Sequence, residues 1–192
     1  MRAFIGMDFD KGLKDELNGI QKVLKINSKK GNWVPSSNFH ITLKFLGDIS
    51  EEQVDAIDRI IKSAVVNTSP LSITLDKLGY FNIRSNQYGV IWIGIKGEMM
   101  KLNAIYGIIE KEMKVIGFPK EKRKLTPHIT LGRRVILDLP FSQLREQVDH
   151  ELGKEFLLDN LTLMKSEEIM RKRVYTPIKS YKFNKILEKN HR

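Results

Sequence analysis

The sequence predicts an α+β protein built from two copies of one unit of strands and helices. The tetrapeptide His-Ile-Thr-Leu occurs at residues 40–43 and again at 128–131, an offset of 88 residues (128 − 40). Short segments that alternate or run apolar, as strands do, are separated by segments whose apolar residues recur at helical spacing. The order strand, helix, strand, helix, strand then occurs once in each half of the chain.

The same offset aligns segments outside the tetrapeptide. FIGMD at residues 4–8 falls on WIGIK at 92–96, and SITLDKL at 72–78 falls on NLTLMKS at 160–166. Because separate segments share one offset, we interpret the chain as a duplication, with repeats at about 1–88 and 89–192.

Four helices are predicted from apolar residues at helical spacing. The second begins with a capping-box pattern, Ser50 with Gln53, and the fourth follows Pro140. Two stretches rich in Gly, Asn and Ser, residues 25–38 and 82–89, are predicted to be loops. The apolar positions of the four helices are Leu13, Leu17, Ile20 and Leu24; Val54, Ile57, Ile60, Ile61 and Ala64; Leu102, Ile105, Ile109 and Met113; and Phe141, Leu144, Val148 and Leu152.

Two such repeats imply a bilobal, pseudo-twofold architecture within a single domain, residues 1–192. Each lobe would hold a small antiparallel sheet with helices on its outer face. The two tetrapeptides would then face each other across a central cleft.

Charge points to an anionic partner. The net charge is +10, from 33 Lys and Arg against 23 Asp and Glu, and basic residues cluster at 120–124 and 171–173. Nucleic acid is the commonest partner for such an excess, and a solvated lysine-rich surface is the alternative.

Composition excludes several classes of protein and site. The chain has no Cys, which excludes disulfides, thiolate metal sites and Cys nucleophiles. No apolar run approaches the length of a membrane span. We therefore expect a cytoplasmic protein with no membrane association.

The repeated motif supplies a pair of acid–base groups. Residues i and i+2 of a strand share a face, so His40 projects with Thr42 and His128 projects with Thr130. In-line phosphoryl transfer needs a base on one side of phosphorus and an acid on the other, and histidine titrates near neutral pH. The Thr hydroxyls could donate to the non-bridging oxygens, and with Arg133 nearby no metal ion is required to balance their charge.

Other interpretations of the histidines are a hydrogen-bonded structural role and a zinc site. A repeated motif at one offset argues against the first, and a set of two histidines without a third ligand argues against the second. His150 and His191 lie outside the motifs and are interpreted as ordinary surface residues.

The segments HITLKFLG and HITLGR resemble the paired motifs of the two-histidine phosphoesterase superfamily, and more closely those of the RNA 2′,3′-cyclic phosphodiesterases, historically called 2′-5′ RNA ligases. The resemblance spans nearly the whole chain, from MRAFIGMD to YTPIKSYKF. It implies a bilobal fold whose termini return to one lobe. It also implies hydrolysis of a ribonucleotide 2′,3′-cyclic phosphate to the 2′-phosphomonoester, with no metal or other cofactor.

The resemblance also implies individual roles. His40 would be the acid that protonates the departing 3′-oxygen, and His128 the base that activates water. We expect the partner to be RNA or an oligoribonucleotide with a 2′,3′-cyclic phosphate end, and the protein to be a monomer. Reversible 2′-5′ RNA ligation and a non-catalytic RNA- or nucleotide-binding module are the alternatives.

The fifth residue after each motif histidine differs between the repeats: Phe45 in one and Arg133 in the other. Simple alternation would turn both away from the histidine face. Gly132 permits a bulge that re-aims Arg133, and the family pattern His-x-Thr-x-x-Arg places this Arg on the phosphate. Arg134, in phase with Thr130, is the competing candidate. Phe45 has no adjacent glycine, so core packing is expected, with a base-stacking platform as the alternative.

The run of charges before the second motif is the candidate RNA-backbone site. It directly precedes the strand of His128, so we expect it on the rim of the cleft. Its cations are Lys120, Lys122, Arg123 and Lys124.

Overall fold

The computed structural model describes residues 1–184 and shows an α+β fold, as predicted. His191 lies outside the described residues. The elements in chain order are β1 (Arg2–Asp8), α1 (Lys11–Ile26), β2 (Ser28–Trp33), β3 (His40–Asp48), α2 (Glu51–Val65), β4 (Leu71–Arg84), β5 (Gln87–Gly97), α3 (Met99–Val115), β6 (His128–Leu137), α4 (Phe141–Asp149), β7 (Glu155–Leu158), β8 (Asn160–Ile169) and β9 (Lys172–Lys182).

The four predicted helices are confirmed, with their apolar faces against the core. At the start of α2, the Ser50 hydroxyl accepts from the Gln53 backbone N–H, and the Gln53 side chain accepts from the Ser50 N–H at 2.9 Å. This reciprocal pair satisfies two N–H groups that the first turn leaves without helical partners. The predicted fourth helix is shorter than its pattern, because α4 ends before Leu152.

Two stretches predicted to be loops contain strand residues. Residues 25–38 contain the end of α1 and the whole of β2, which pairs antiparallel with β6. The polar composition of β2 reflects its position as an edge strand, which needs no second apolar face. Residues 82–89 form the end of the β4–β5 hairpin around a turn at Ser85 and Asn86, so the turn residues alone are irregular.

The strands form one continuous antiparallel sheet in the order β7-β4-β5-β6-β3-β1-β8-β9, with β2 also paired to β6. The prediction of two separate small sheets is therefore refined: two half-sheets are joined where β3 meets β6, through the one residue pair Ile41 and Ile129. Helix α1 contacts α4, and α2 contacts α3.

The two repeats exchange strands. The offset of 88 residues relates β4 to β8, yet β4 pairs with β5 of the second repeat, and β8 pairs with β1 of the first. The terminal strands β1, β8 and β9 consequently share one half-sheet, as the resemblance implies, and the central strands β4, β5 and β6 form the other together with β2 and β7. In the described part of the chain, no helix combines the length and the hydropathy that crossing a bilayer requires.

Candidate active site

The two motif histidines flank the junction of the half-sheets. His40 is the first residue of β3 and His128 the first residue of β6, and each directly precedes one member of the junction pair. The paired residues, Ile41 and Ile129, are fully buried, so alternation turns both histidines to the opposite face. Thr42 and Thr130 are half-buried on that same face.

Both imidazoles are oriented by a backbone carbonyl two residues earlier. Nδ1 of His40 lies 2.7 Å from the carbonyl oxygen of Asn38, and Nδ1 of His128 lies 2.7 Å from that of Thr126. Because a carbonyl can only accept, Nδ1 carries the proton in both rings, and Nε2 of each neutral ring is left as a base. Nε2 of His40 lies 2.9 Å from the hydroxyl oxygen of Thr42, which donates to it while the ring is neutral.

An aromatic ring from a hairpin packs edge-on against each imidazole. Tyr175 of β9 lies 5.0 Å from His40 between ring centroids, and Phe81 of β4 lies 5.0 Å from His128. Both aromatic residues hold the rings in place, and the sequence reasoning did not identify either. Motif spacing carries no signal for them, because each comes from a hairpin that only the tertiary fold brings to the histidine.

Burial lowers the pKa of both histidines. For His40 the hydrogen bond to Asn38 and the charge of Asp8 oppose this effect, whereas the charges of His128 and Arg133 add to it. For His128 the carbonyl of Thr126 opposes burial, and Arg133 again lowers the pKa. Both rings are therefore biased towards the neutral form in the absence of a bound anion.

A bulge directs Arg133 towards the histidines. Ile91 of β5 pairs with Gly132 and Trp92 pairs with Thr130, so Leu131 has no partner on β5. The bulge predicted at Gly132 is present, and Arg133 follows it with an exposed side chain whose charge acts on both imidazoles. Arg134 has φ +52° and is not among the charges that shift either histidine.

The expectation that Phe45 packs in the core is wrong, because its side chain is 70% exposed. Ile5 of β1 pairs with Lys44 and Gly6 pairs with Thr42, which leaves Leu43 without a partner. Leu43 is the counterpart of Leu131, so the same bulge occurs in both repeats. The error lay in requiring a glycine, since a bulge residue near the right-handed helical conformation needs none.

A cavity of about 430 Å³ opens beside His128, between β3 and residues 119–127, here called the basic loop. Three of the four predicted RNA-backbone cations line it, and the remaining one, Lys122, is exposed but does not. The second basic cluster, residues 171–173, lies at the β8–β9 turn, and His150 is exposed directly after α4. Six of the predicted site residues line its wall: Thr42, Phe45, His128, Lys120, Arg123 and Lys124.

Comparison with known proteins decides the family. The model of the LigT-like phosphoesterases matches residues 8–92. A protein of Methanocaldococcus jannaschii named RNA 2′,3′-cyclic phosphodiesterase is 31% identical over 185 residues, which cover 94% of this chain and 100% of the relative. The chain belongs to the LigT-like phosphoesterase family. A Thermotoga maritima protein of the same name is 31% identical over 78% of each chain.

Solved structures with this LigT-like fold superpose along almost the whole chain. A crystal structure from Thermus thermophilus matches with a TM-score of 0.79 at 21% identity, covering 97% of this chain and 100% of the other. Escherichia coli LigT in complex with 3′-AMP matches with a TM-score of 0.76 at 22% identity, covering 96% and 98%. At this level of identity the likeness concerns the fold alone.

Proposed function

We propose that this protein hydrolyses the 2′,3′-cyclic phosphate at the end of an RNA to the 2′-phosphomonoester, by acid–base catalysis between His40 and His128 and without a metal ion. The observation that carries the proposal is the pair of half-buried imidazoles at the sheet junction, each fixed through Nδ1 to a carbonyl. Relatives that align with most of the chain are named RNA 2′,3′-cyclic phosphodiesterase.

In the proposed reaction a water oxygen attacks phosphorus while Nε2 of His128 takes the water proton. The bond between phosphorus and the 3′-oxygen breaks, and the proton on Nε2 of His40 passes to that oxygen. His40 must therefore be protonated before the step. Burial opposes this, but a bound phosphodiester anion and the nearby Asp8 both favour the charged ring.

Three further side chains would hold the non-bridging oxygens. The hydroxyls of Thr42 and Thr130 share the face of the histidines. The positive charge of Arg133 lies close enough to both imidazoles to lower their pKa values. Donors aimed at the oxygens where charge develops stabilise the transition state. Replacing either Thr by Val should cost roughly 1–3 kcal/mol of transition-state stabilisation, because only the donor is removed.

The cavity beside His128 is the proposed site for the terminal nucleoside, with a base on the exposed ring of Phe45. Base stacking on an aromatic side chain tolerates any sequence. The cations of the basic loop would contact the RNA backbone. Within this proposal the protein acts as a monomer, and size-exclusion chromatography with light scattering checks that expectation.

The proposal is tested with an oligoribonucleotide that ends in a 2′,3′-cyclic phosphate, incubated with a chelator. We expect the 2′-phosphate product, and loss of about 10²–10⁴-fold in kcat/KM for His40→Ala and for His128→Ala. His150→Ala, at an exposed histidine outside the site, is the matched control and should retain full activity. Near-normal rates in either motif variant, a 3′-phosphate product, or dependence on metal would overturn the proposal. A second strand with a 5′-hydroxyl reports ligation in the same assay.

A further inference from the structure

One buried ion pair lies outside the catalytic groups. Nζ of Lys44 is 2.6 Å from Oε1 of Glu110, and each side chain is 4% exposed. Two charges pay a large desolvation penalty at such a position, so the pair is weak evidence for a purely stabilising role. Its position beside the cavity wall suggests another role.

The pair holds the start of the basic loop at two points. The ammonium group of Lys44 also donates to the carbonyl oxygen of Pro119 at 2.9 Å, and Oε2 of Glu110 accepts from the backbone N–H of Glu121 at 2.8 Å. The Glu121 carboxylate in turn accepts from the backbone N–H groups of the next two residues, at 2.9 Å and 3.2 Å. Hydrogen bonds thus run without a break from β3 and α3 to the segment that carries the cations.

The bulge explains why residue 44 faces inwards. Because Leu43 is unpaired, alternation resumes one residue late, so Lys44 turns inwards and Phe45 turns into the cavity. The counterpart of Lys44 in the second repeat is Gly132, and the ring of Trp33 packs against it. The same bulge is therefore followed by a buried ion pair at Lys44 and by an aromatic contact at Gly132.

In the first repeat, the loop that corresponds to the basic loop is held by a neutral side chain. Nε2 of Gln21, from α1, donates to the carbonyl oxygens of Val34 and Leu131 at 2.7 Å and 2.8 Å. Gln21 is 1% exposed, like the ion pair, but the loop it holds lines no part of the cavity. It therefore offers a matched comparison for the loss of a buried polar contact.

We propose that Lys44 and Glu110 are positioning residues that hold the basic loop as a fixed wall of the cavity and so present its cations to the RNA backbone. The expected effect on KM rests on the proposed function, whereas the anchoring of the loop does not. Neither residue takes part in proton transfer.

The structural arm of the test needs no activity. In the double variant Lys44→Met, Glu110→Leu, which replaces the pair with apolar side chains of similar length, trypsin should cleave the native protein within residues 120–124 about tenfold faster or more, since cleavage follows the population of the locally opened state. Gln21→Leu should leave cleavage in this segment unchanged. Equal cleavage rates in the double variant and the wild type would overturn the proposal.

The functional arm compares the double variant with a loop-neutralised variant, Lys120→Gln, Arg123→Gln, Lys124→Gln. We expect both to raise KM for the oligonucleotide by similar factors with kcat altered less than about twofold, and the combined variant to show no further rise, because both act through the same contacts. Additive effects on KM would overturn the inference. Failure of the wild type to hydrolyse the oligonucleotide would refute the proposed function. The trypsin result tests the anchoring of the loop by Lys44 and Glu110 independently of activity.

Discussion

At the scale of single residues, Arg133 connects the proposed phosphate site with the ionisation of both histidines. Its charge lowers the pKa of His40 and of His128, in addition to the effect of burial. An arginine that binds the phosphate would have this effect, because a cation close to both rings disfavours their protonated forms. Arg134, the next residue, exerts no such influence on either ring.

We predict that Arg133→Gln lowers kcat/KM for every cyclic phosphate and moves both limbs of its bell-shaped pH profile to higher pH. The sign follows from the pKa of each histidine: removing the neighbouring cation raises both, so the base is neutral only at higher pH and the acid stays protonated to higher pH. Arg134→Gln should change neither kcat/KM nor the position of either limb. Profiles of kcat/KM against pH for the two variants make the comparison, and a damaging Arg134→Gln beside a silent Arg133→Gln would reverse the assignment.

Phe45 is the second residue whose role depends on the bulge. Its ring is exposed on the cavity wall, 6.1 Å from the ring of Phe4, which in turn packs 4.7 Å from His40. An exposed aromatic ring beside a site of this size is available to a nucleobase.

Replacing Phe45 by Ala should raise KM for a cyclic-phosphate oligonucleotide while kcat changes little. The loss of one stacked base corresponds to about 1–3 kcal/mol of binding. Met100→Ala removes an exposed apolar side chain that does not line the cavity, and it should leave both constants unchanged. An unchanged KM in Phe45→Ala would exclude the stacking role.

At the scale of elements, the basic loop combines high charge with a fixed backbone. Lys120, Arg123 and Lys124 have exposed side chains on the cavity wall, whereas the backbone that carries them is bonded to buried groups. A long lysine-rich connection on a surface is often merely solvated, and the backbone anchoring distinguishes this loop from that case.

We predict that the affinity for single-stranded RNA depends on salt, and that neutralising these three cations flattens the dependence. Each phosphate contact contributes about 0.7 to the slope of log K against log salt, so the triple variant should lose about 2. Lys122→Gln, in the same loop but off the cavity wall, should change the slope less. Titrations of RNA binding over a range of salt concentrations make the measurement, and an unaltered slope would indicate a solvated loop.

At the scale of the whole molecule, the two histidines lie where the two half-sheets share one residue pair. Both rings are half-buried at this junction, and this burial lowers both pKa values. The stability of the fold therefore depends on their protonation.

We expect the free energy of unfolding to fall as the pH drops through the ordinary pKa of histidine, about 6.5. Below that value the unfolded chain binds protons that the native rings resist, so stability is lost at up to about 1.4 kcal/mol per pH unit for each histidine, until the pH reaches the lowered native pKa. The double variant His40→Asn, His128→Asn should show a shallower slope between about pH 7 and 5. Denaturant unfolding at several pH values makes the test, and parallel curves would refute it.

Some features of this protein follow from the sequence alone, because they depend on local spacing. The four helices, the capping box at Ser50 and the shared face of each His-x-Thr pair all follow from residues a few positions apart. The offset of 88 residues further indicated the duplication and singled out His40 and His128 as its equivalent histidines. The bulge before Arg133 was predicted from the adjacent Gly132, but the same rule missed the matching bulge at Leu43, which has no glycine beside it.

Other features were decided only by tertiary structure, because they depend on partners far away in the chain. Pairing with β6 makes a strand of the polar segment β2, and the exchange of β4 and β8 assigns each half of the sequence to both half-sheets. The register of β3 against β1 leaves Leu43 unpaired, which turns Phe45 outwards and buries Lys44 against Glu110. No local pattern encodes that register, since it is set by how the whole sheet packs on its core.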